Sequence, residues 1–508
     1  MFAQTLGSTT IGVNGILIDV EVDMGNGLPS FDIVGLPDTA VRESRERVRA
    51  AIKNSGFRLP ARKTTINLAP ADIRKDSSGL DLPIAIGLLI AAGFIAKESV
   101  DRMMFAGELS LDGKLRGING LLPMAIHCHK QGVKSIIVSP ENLNEALLVE
   151  GLTVYSPQYL AELIAFLNGE KELLPCEKKP IHAHPNDELL PDDFSEVQGQ
   201  FAAKRALEIA SAGGHNVLMV GPPGSGKSML AKRVSSILPT MSNQEALEVT
   251  KIYSVAGLLK NHEGLIQSRP YRSPHHTISD AGMIGGGRIP KPGEVTLSHN
   301  GVLFLDELPE FSKVALEVLR QPLEDGQVTI SRANASITYP SKLMLVTAMN
   351  PCPCGFASDT KQPCTCTAAE IKRYTRKISG PLLDRIDIHI HVPRLEYNEF
   401  TDLKPAESSM IIRARVEKAR DIQKDRLAKY HLFCNAQMSH RHLKKTCPMN
   451  EKAKDLLEQV FTRMNLSARS YDRIIKVSRT IADLAACEDI NEHHVAEAIQ
   501  LRSNYNAF

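Results

Sequence analysis

Residues 221–228 carry the most specific chemical signal in the chain. They fit every fixed position of the phosphate-binding pattern G-x-x-x-x-G-K-[ST], reading Gly221-Pro222-Pro223-Gly224-Ser225-Gly226-Lys227-Ser228. The glycines let backbone N–H groups close around phosphate oxygens, Lys227 brings charge to the β- and γ-phosphates, and the Ser228 hydroxyl can ligate Mg²⁺. An apolar run before the segment predicts a buried strand, and a helical pattern follows it. This context favours a nucleoside triphosphate site over an ordinary glycine-rich turn.

Two further apolar runs end in polar side chains that suit hydrolysis of a bound nucleotide. Residues 301–305 lead to Asp306 and Glu307, a Walker B pattern in which Asp306 holds Mg²⁺, directly or through water, and Glu307 polarises the attacking water. Residues 345–349 lead to Asn350, which fits the sensor 1 position that helps to place the water. A helix N-cap would also use asparagine there. The sequence therefore predicts ATP and Mg²⁺ as bound cofactors.

Four cysteines lie close together in two C-x-C pairs, Cys352, Cys354, Cys364 and Cys366. Thiolates satisfy tetrahedral Zn²⁺ at about 2.3 Å, and so short a loop can close around the ion. Structural zinc is the prediction, and free thiols in a reducing compartment are the alternative. His275 and His276 have no third ligand at a suitable spacing, so we expect them to shape a loop and not to hold a metal.

The elements that must position these groups fall into four segments. Residues 1–169 alternate β-type runs with helical patterns and predict one α/β domain. Residues 170–195 lack an apolar period and are rich in charge and proline, which predicts a linker. Residues 196–395 contain the phosphate-binding loop, and residues 396–508 are mostly helical in pattern. The resemblance of their motifs to AAA+ proteins implies a three-layer α/β core for the first segment and a helical lid for the second.

Composition limits the compartment and the partners. The 508 residues have a formal net charge of +2, so any nucleic-acid binding must come from local basic groups. There is no apolar run of membrane-spanning length and no pattern of a cleavable leader. We therefore expect a cytoplasmic protein without a membrane partner. One basic stretch is more typical of a solvated face than of a DNA surface, and its members interleave with acids: Arg413, Arg415, Lys418, Arg420, Lys424, Arg426 and Lys429.

The insert between the two nucleotide motifs resembles the magnesium chelatase ATPase subunit and, more distantly, the MCM replicative helicases. The resemblance rests on three stretches followed by the Walker B pattern: 269–277, 285–288 and 292–300. Residues 327–339 predict a β-hairpin ahead of the sensor strand. In MCM-like motors the matching hairpin faces the pore of a ring and carries a DNA-contacting lysine, and Arg332 matches that position. A solvated surface arginine is the alternative.

The resemblance to AAA+ proteins extends to both ends of this region. Val197 and Gln198 match a segment that borders the adenine, although a loop-to-helix turn would also account for the glycine beside them. Arg469 begins a segment that resembles the sensor 2 helix of an AAA+ lid, where it would meet the γ-phosphate.

Residues 379–387 match the arginine-finger segment of the chelatase and MCM clade. An arginine finger acts on the nucleotide of the neighbouring subunit, so this resemblance implies that Arg385 is catalytic in a ring. The alternative is an ion pair between Arg385 and Asp387 within one subunit.

Two stretches of the first domain resemble the Lon protease domain and, more closely, the Lon-like domain of the RadA recombination helicase: 75–83 and 105–120. Proteolysis of this type needs a serine nucleophile and a lysine base. Aligned on Lys75, the nucleophile position falls on Gly79, and Leu122 and Met124 lie where the family carries its lysine. Ser77 and Ser78 have no base that the sequence identifies. We therefore expect a Lon-like domain (ribosomal S5 domain 2-like) without protease activity.

The order of the domains over the whole chain is similar to that of the ComM/YifB family. That resemblance implies a hexameric DNA helicase that hydrolyses ATP to ADP and phosphate and promotes branch migration during recombination in natural transformation. Its expected partners are single-stranded and branched DNA, further copies of itself and recombination proteins. A metal-chelatase motor and an ATP-dependent protease are the alternatives.

Overall fold

A computed structural model describes residues 1–75, 78–177, 193–259, 264–287, 290–332, 335–357, 359, 361–394, 406–463 and 466–503. The chain divides into two compact units. One comprises Met1–Ala183 with Ala246–Ile266, and the other His184–Glu245 with Gln267–Phe508. The first unit thus includes Ala246–Ile266, a segment within the predicted ATPase core of residues 196–395. The boundaries of the functional domains stay a prediction.

The first unit is an α/β domain, as its alternating patterns predict. Its strands are β1 Phe2–Ile11, β2 Asn14–Gly25, β3 Ser30–Val34, β4 Lys63–Ala69, β5 Met103–Ala106, β6 Glu108–Leu109, β7 Leu115–Arg116, β8 Ser135–Val138 and β9 Thr153–Tyr155. Its helices are α1 Thr39–Asn54, α2 Asp81–Ala91, α3 Leu121–Lys130, α4 Leu143–Ala146 and α5 Leu160–Leu167.

Seven of these strands form a mixed sheet in the order β3-β4-β2-β1-β5-β8-β9. β2 shows why the sheet forms: Ile18, Val20 and Val22 are fully buried and alternate with less buried acidic residues, the period of a strand with one face in the core. Helices α1, α2 and α5 contribute to one hydrophobic cluster of the unit, and α3 to another.

The second unit contains the predicted nucleotide motifs and the lid. Its strands are β10 Val217–Val220, β11 Tyr271–Arg272, β12 Gly285–Gly286, β13 Lys291–Pro292, β14 Val302–Leu305, β15 Gln327–Arg332, β16 Ala335–Pro340, β17 Met344–Met349 and β18 Ile388–His391. Its helices up to the lid are α6 Phe201–Gly213, α7 Lys227–Ile237, α9 Asp280–Ile284, α10 Glu294–Leu297, α11 Lys313–Glu317, α12 Arg320–Asp325, α13 Ala368–Thr375 and α14 Gly380–Leu383; α8 is Asn243–Ala256, most of which belongs to the first unit.

Five parallel strands form the central sheet of this unit, in the order β11-β14-β17-β10-β18. Every residue of β10, β14 and β17 is buried, as expected for parallel strands covered on both faces. The observed mixed α/β fold with a parallel-sheet core agrees with this part of the predicted fold class, and the Lon-like type of the first domain stays a prediction.

The C-terminal part is helical, as predicted: α15 Ser409–Leu427, α16 His440–Thr446, α17 Glu451–Arg463, α18 Ala468–Leu484 and α19 Glu492–Ser503. Ile412 and Val416 of α15 and Ile474 of α18 belong to the same hydrophobic cluster as the strands of the parallel sheet. The lid helices therefore share one core with the sheet. Among the described residues, no helix is long and apolar enough to cross a membrane.

Candidate nucleotide-binding site

The predicted nucleotide-binding residues meet at one edge of the parallel sheet. β14, β17 and β10 are consecutive neighbours, and the carboxyl ends of parallel strands lie at the same edge. The phosphate-binding loop follows β10, Asp306 and Glu307 follow β14, and Asn350 follows β17. The structure thus brings together three segments that are far apart in the sequence.

Lys227 lies at the centre of the phosphate-binding loop. Its Nζ donates to the carbonyl oxygens of Gly221 at 2.7 Å and Pro222 at 2.9 Å, and to Asn350 Oδ1 at 3.3 Å. Burial lowers the pKa of Lys227 to about 8, while the Asp306 carboxylate acts in the opposite direction. Lys227 and Asn350 are therefore close enough to serve a single phosphate group, as their predicted roles require.

Two glycines explain the shape of the loop. Gly226 has a φ of +88° at the N-cap of α7, a left-handed conformation that favours glycine. A Cβ atom on Gly221 would lie 2.1 Å from the carbonyl oxygen of Val392. Helix α7 begins directly after Gly226, so its first N–H groups and the positive end of its dipole lie next to the loop.

Ser228 and Asp306 form the donor set expected for Mg²⁺. The Ser228 hydroxyl donates to Asp306 Oδ2 at 2.6 Å, and Asp306 Oδ1 accepts from the backbone N–H of Glu307 at 2.9 Å. Hydroxyl and carboxylate oxygens are the ligands that Mg²⁺ prefers, with water and phosphate oxygens completing its octahedron. These two side chains fit the ion.

Glu307 has a constrained backbone and a carboxylate that contacts His276. Its φ of +51° lies in the left-handed region, which is uncommon for residues other than glycine and occurs often at functional sites. Glu307 Oε2 lies 3.4 Å from His276 Nδ1. The His276 ring packs against His275 at 4.1 Å between centroids and makes a T-shaped contact with Phe311 at 6.4 Å between centroids.

His276 is a site residue that the sequence did not reveal. It follows β11, which pairs in parallel with β14, so both segments leave the sheet at the same edge. β11 has only two residues, too few to produce a recognisable strand pattern. Among the described residues, the group of possible metal ligands that the structure brings together is the four cysteines, and the role of the two histidines in shaping a loop stays a prediction.

The segment predicted to border the adenine is held against the phosphate-binding loop by Gln200. Gln200 Nε2 donates to the carbonyl oxygens of Ser225 at 3.2 Å and Pro393 at 2.7 Å. Val197 is fully buried in the core and Gln198 is half-buried. The side chain of Val197 therefore packs inside the unit, and its contact with a base stays a prediction.

Arg385 does not pair with Asp387. Its guanidinium forms an ion pair with Glu324 and donates from Nη1 to the carbonyl oxygen of Pro381 at 2.7 Å. Asp387 instead accepts from Arg473 of α18 at 2.6 Å. The intramolecular pair considered as the alternative from the sequence is therefore wrong. The two residues are only two positions apart in the sequence, but their side chains have different partners.

A cavity of about 510 Å³ surrounds the Arg385–Glu324 pair, with Arg320 on its wall. Arg385 is almost entirely buried, and its Nε has no hydrogen-bond partner in the described part of the chain. The hydrogen bond from Arg385 holds the pKa of Glu324 below its usual value, and the charge of Arg469, which is exposed on α18, acts in the same direction. The two arginines with predicted phosphate roles thus act on one carboxylate.

The predicted hairpin forms from β15 and β16, with Arg332 paired in register to Ala335. Its buried face carries alternate apolar side chains, Val328, Ile330, Ile337 and Tyr339. The structure describes the backbone of Arg332 but not its side chain. Its contact with DNA therefore stays a prediction.

Comparisons with known proteins decide the family. Three family models match: "Magnesium chelatase, subunit ChlI" over residues 193–400, "Subunit ChlI of Mg-chelatase" over 20–142, and "Magnesium chelatase, subunit ChlI C-terminal" over 406–502. The competence protein ComM of Haemophilus influenzae is 42% identical over 499 residues, 97% of this chain and 96% of ComM. The uncharacterized protein YifB of Escherichia coli is 42% identical over 494 residues, 97% of this chain and 95% of YifB. This chain belongs to the ComM/YifB family.

A more distant relative of this ComM/YifB family member is the zygotic DNA replication licensing factor mcm6-A of Xenopus laevis. It is 22% identical over 326 residues, 63% of this chain and 36% of that protein. The region matched by the first chelatase model contains the phosphate-binding loop, the two acids, Asn350 and Arg385, and the C-terminal model contains Arg469. The predicted family and its magnesium-chelatase-like AAA+ type are confirmed.

The four cysteines of this ComM/YifB family member converge on one point. Their Sγ atoms all lie within 4.8 Å of one another, with Cys352 and Cys354 3.3 Å apart and Cys354 and Cys364 3.6 Å apart. Hydrogen bonds from the backbone of Phe356 and Thr365 lower the pKa of Cys354 to about 5, whereas the neighbouring thiols raise the pKa of Cys364 and Cys366. Four converging thiols fit a tetrahedral Zn²⁺ site.

The stretch of the first unit that resembles the Lon protease domain begins with a buried lysine. Lys75 is fully buried, and its Nζ donates to the carbonyl oxygens of Gly35 at 3.0 Å, Leu68 at 2.8 Å and Pro70. Ser78 begins a short 3₁₀ turn, and Ser77 lies outside the described residues. Three carbonyl acceptors engage Lys75, so its observed contacts support a role in the fold.

Three arginines of α15 contact other elements of their own unit. Arg413 donates to the Ser236 carbonyl oxygen at 2.8 Å, Arg420 to that of Ser211 at 2.9 Å, and Arg426 pairs with Asp483 at 2.6 Å. The bonds of Arg413 and Arg420 attach α15 to the core, and the Arg426 pair joins α15 to helix α18. They account for part of the basic stretch without a DNA partner.

Proposed function

We propose that this chain is an ATP-driven, ring-forming DNA helicase that promotes branch migration while incoming single-stranded DNA is integrated by recombination during natural transformation. The observation that carries the proposal is the convergence of Lys227, Ser228, Asp306, Glu307 and Asn350 at one edge of the parallel sheet. The names of two relatives, a competence protein and a DNA replication licensing factor, support the biological setting.

The reaction is hydrolysis of ATP to ADP and phosphate. The Lys227 ammonium group neutralises charge on the β- and γ-phosphates, and Asn350 orients the attacking water. Glu307 accepts a proton from this water as its oxygen bonds to the γ-phosphorus. The bond from the γ-phosphorus to the bridging oxygen breaks, and that oxygen leaves with ADP.

Magnesium would be held by Ser228 Oγ and Asp306 Oδ2. When bound, the ion neutralises charge that develops on the phosphate oxygens. The 2.6 Å separation of the two ligand atoms supports this role, and the protein contributes the ligands at the ends of α7 and β14.

A complete active site requires a second copy of the chain. We assign Arg385 as the finger that stabilises the transferring γ-phosphate of the neighbouring subunit, and we place Arg469 at the same phosphate. Val197 and Gln198 would lie beside the adenine. The unpartnered Nε of the nearly buried Arg385 supports a ligand other than Glu324. These assignments imply a homo-hexameric ring.

The remaining domains have proposed roles of their own. The hairpin bearing Arg332 would face the pore and contact single-stranded or branched DNA, while the first unit would be a Lon-like scaffold for DNA or recombination proteins. Its fully engaged Lys75 supports a scaffold over an ATP-dependent protease. We assign structural Zn²⁺ to the four converging thiols at 352, 354, 364 and 366.

The test is the ATPase rate of the purified chain without DNA, with single-stranded DNA and with branched DNA. We expect DNA to stimulate hydrolysis, and ATP to drive conversion of a branched substrate that Lys227→Ala protein leaves unchanged. An ATPase that ignores all DNA and converts no branched substrate would contradict the proposal.

The family-model descriptions favour a second candidate, a remodelling subunit of a metal chelatase. The same ATPase assay separates the two, because this candidate predicts stimulation by a porphyrin-binding partner and none by DNA. The DNA motor predicts the reverse.

A further inference from the structure

The four-cysteine loop, which the structure describes at residues 352–357, 359 and 361–366, lies directly beside the nucleotide site. It starts two residues after Asn350, whose Oδ1 is 3.3 Å from Lys227 Nζ. It ends immediately before Thr367, which caps helix α13 with a capping box. The loop therefore connects the sensor strand to a helix start with defined hydrogen bonds.

One residue of the loop touches the phosphate-binding loop. Gly355 has a φ of +90° and donates its N–H to the Cys352 carbonyl oxygen at 3.0 Å. A Cβ atom on Gly355 would lie 2.6 Å from Cδ and 2.7 Å from Cγ of Pro223. The proline ring is rigid, so the two loops are in contact with no room for a methyl group.

Helix α13, on the other side of the loop, also lies close to Asn350. The buried Tyr374 of α13 interacts with the backbone of Asn350. Asn350 thus lies near the helix that follows the four cysteines as well as at the end of its own strand. Metal ligation fixes the conformation of a short loop because it removes the alternatives open to the free chain.

We infer that the zinc-loaded four-cysteine loop braces the nucleotide site, so that metal occupancy sets the affinity for ATP. The loop acts on Pro223 of the phosphate-binding loop through Gly355. It acts on Asn350 through the two elements that flank the loop, strand β17 and helix α13. This inference rests on the proposed function and adds a structural control to it. Loss of zinc releases both supports together.

The test compares two variants that separate the metal from the contact. Cys364→Ser removes a ligand, whereas Gly355→Ala keeps all four thiols and places a methyl group against Pro223. Gly56→Ala is the matched control, because Gly56 has a φ of +95° and its added Cβ would meet nothing within 4 Å. Each full-length protein is assayed for zinc content and for affinity for a non-hydrolysable ATP analogue with Mg²⁺.

We expect Gly355→Ala to keep its zinc and to lose affinity by at least about tenfold, the scale of an overpacked contact. Cys364→Ser should lose zinc and affinity together, and Gly56→Ala should change neither. In a Pro223→Ala background the added methyl meets no ring, so Gly355→Ala should cost less affinity there than in the wild-type background.

The inference is overturned if Gly355→Ala binds the analogue as tightly as Gly56→Ala does, or if folded, zinc-free Cys364→Ser protein binds like wild type. Should Cys364→Ser fail to fold, the Gly355 and Pro223 variants carry the test alone. Absence of analogue binding by the wild-type protein would instead refute the proposed function, so the two failures are distinguishable.

Discussion

Lys227 and Glu307 have different tasks in the proposed site, so their variants should fail differently. Lys227→Ala removes the charge beside the phosphates and should abolish nucleotide binding. Glu307→Gln keeps the shape of the side chain and should bind ATP normally, while kcat falls by roughly 10²-fold or more because the proton acceptor is gone. Nucleotide titration and steady-state rates check both. Equal loss of affinity in the two variants would refute the role of Glu307.

The lowered pKa of Lys227 predicts a pH dependence of nucleotide affinity. Phosphate binds the ammonium form, which is complete below the pKa of about 8 and is lost as the pH rises through it. Affinity for a non-hydrolysable ATP analogue should therefore be constant below that pH and weaken by up to about tenfold per pH unit above it. Glu307→Gln, which retains the lysine, should follow the same curve. An affinity that does not change up to about pH 9.5 would contradict this prediction.

His276 should support catalysis by orienting the Glu307 carboxylate. The contact comes from Nδ1, whose position an asparagine amide can reproduce and a glutamine amide cannot. We expect His276→Gln to lower kcat by roughly tenfold or more at unchanged KM, with much of the loss restored in His276→Asn. Steady-state kinetics of the two variants provide the measurement. If asparagine and glutamine are equally harmful, the histidine has only a packing role.

At the scale of elements, apolar pattern predicted most of the fold around the site. The predicted strands before Gly221, Asp306 and Asn350 all form, as does the hairpin of β15 and β16, because each has a clear apolar run or alternation. Strand β11 was missed because it has two residues. The sheet order, with β17 between β14 and β10, depends on contacts between distant segments that no local pattern encodes.

Side-chain partners were less predictable than the elements. Adjacency in sequence suggested Asp387 for Arg385, whereas the structure brings Glu324 from α12. The sulfur cluster was predictable because its four ligands are close in sequence, so the loop itself limits how far apart they can lie. Sequence separation therefore decides which parts of the site are predictable.

The four-cysteine loop should bind about one Zn²⁺ per chain. Cys354→Ser removes one of four thiolates and should lower both the metal content and the melting temperature, since metal binding is linked to folding. Elemental analysis and thermal unfolding of the two proteins check this. Wild-type protein without metal, and a variant with unchanged melting, would leave free thiols as the correct interpretation.

At the scale of the whole molecule, the family relationship covers nearly the full chain, and the order of its segments follows from the sequence. The contacts between copies of the chain do not follow from the sequence. Arg385, Arg469 and the cavity around Glu324 lie in one chain, while the phosphate that they are proposed to contact belongs to another copy. A single sequence cannot show this contact, because an inter-subunit contact leaves no local pattern.

The central claim is that each active site combines the phosphate-binding loop of one subunit with Arg385 of its neighbour. Arg385→Ala should still bind ATP but lose hydrolysis by roughly 10³-fold or more, the scale of arginine fingers. The decisive measurement is the ATPase rate of Arg385→Ala mixed with Lys227→Ala, over a range of ratios and with co-assembly verified. The account predicts that the two inactive proteins regain activity together, because mixed rings contain interfaces with an intact loop and an intact arginine. Mixed rings that stay inactive at every ratio would contradict it.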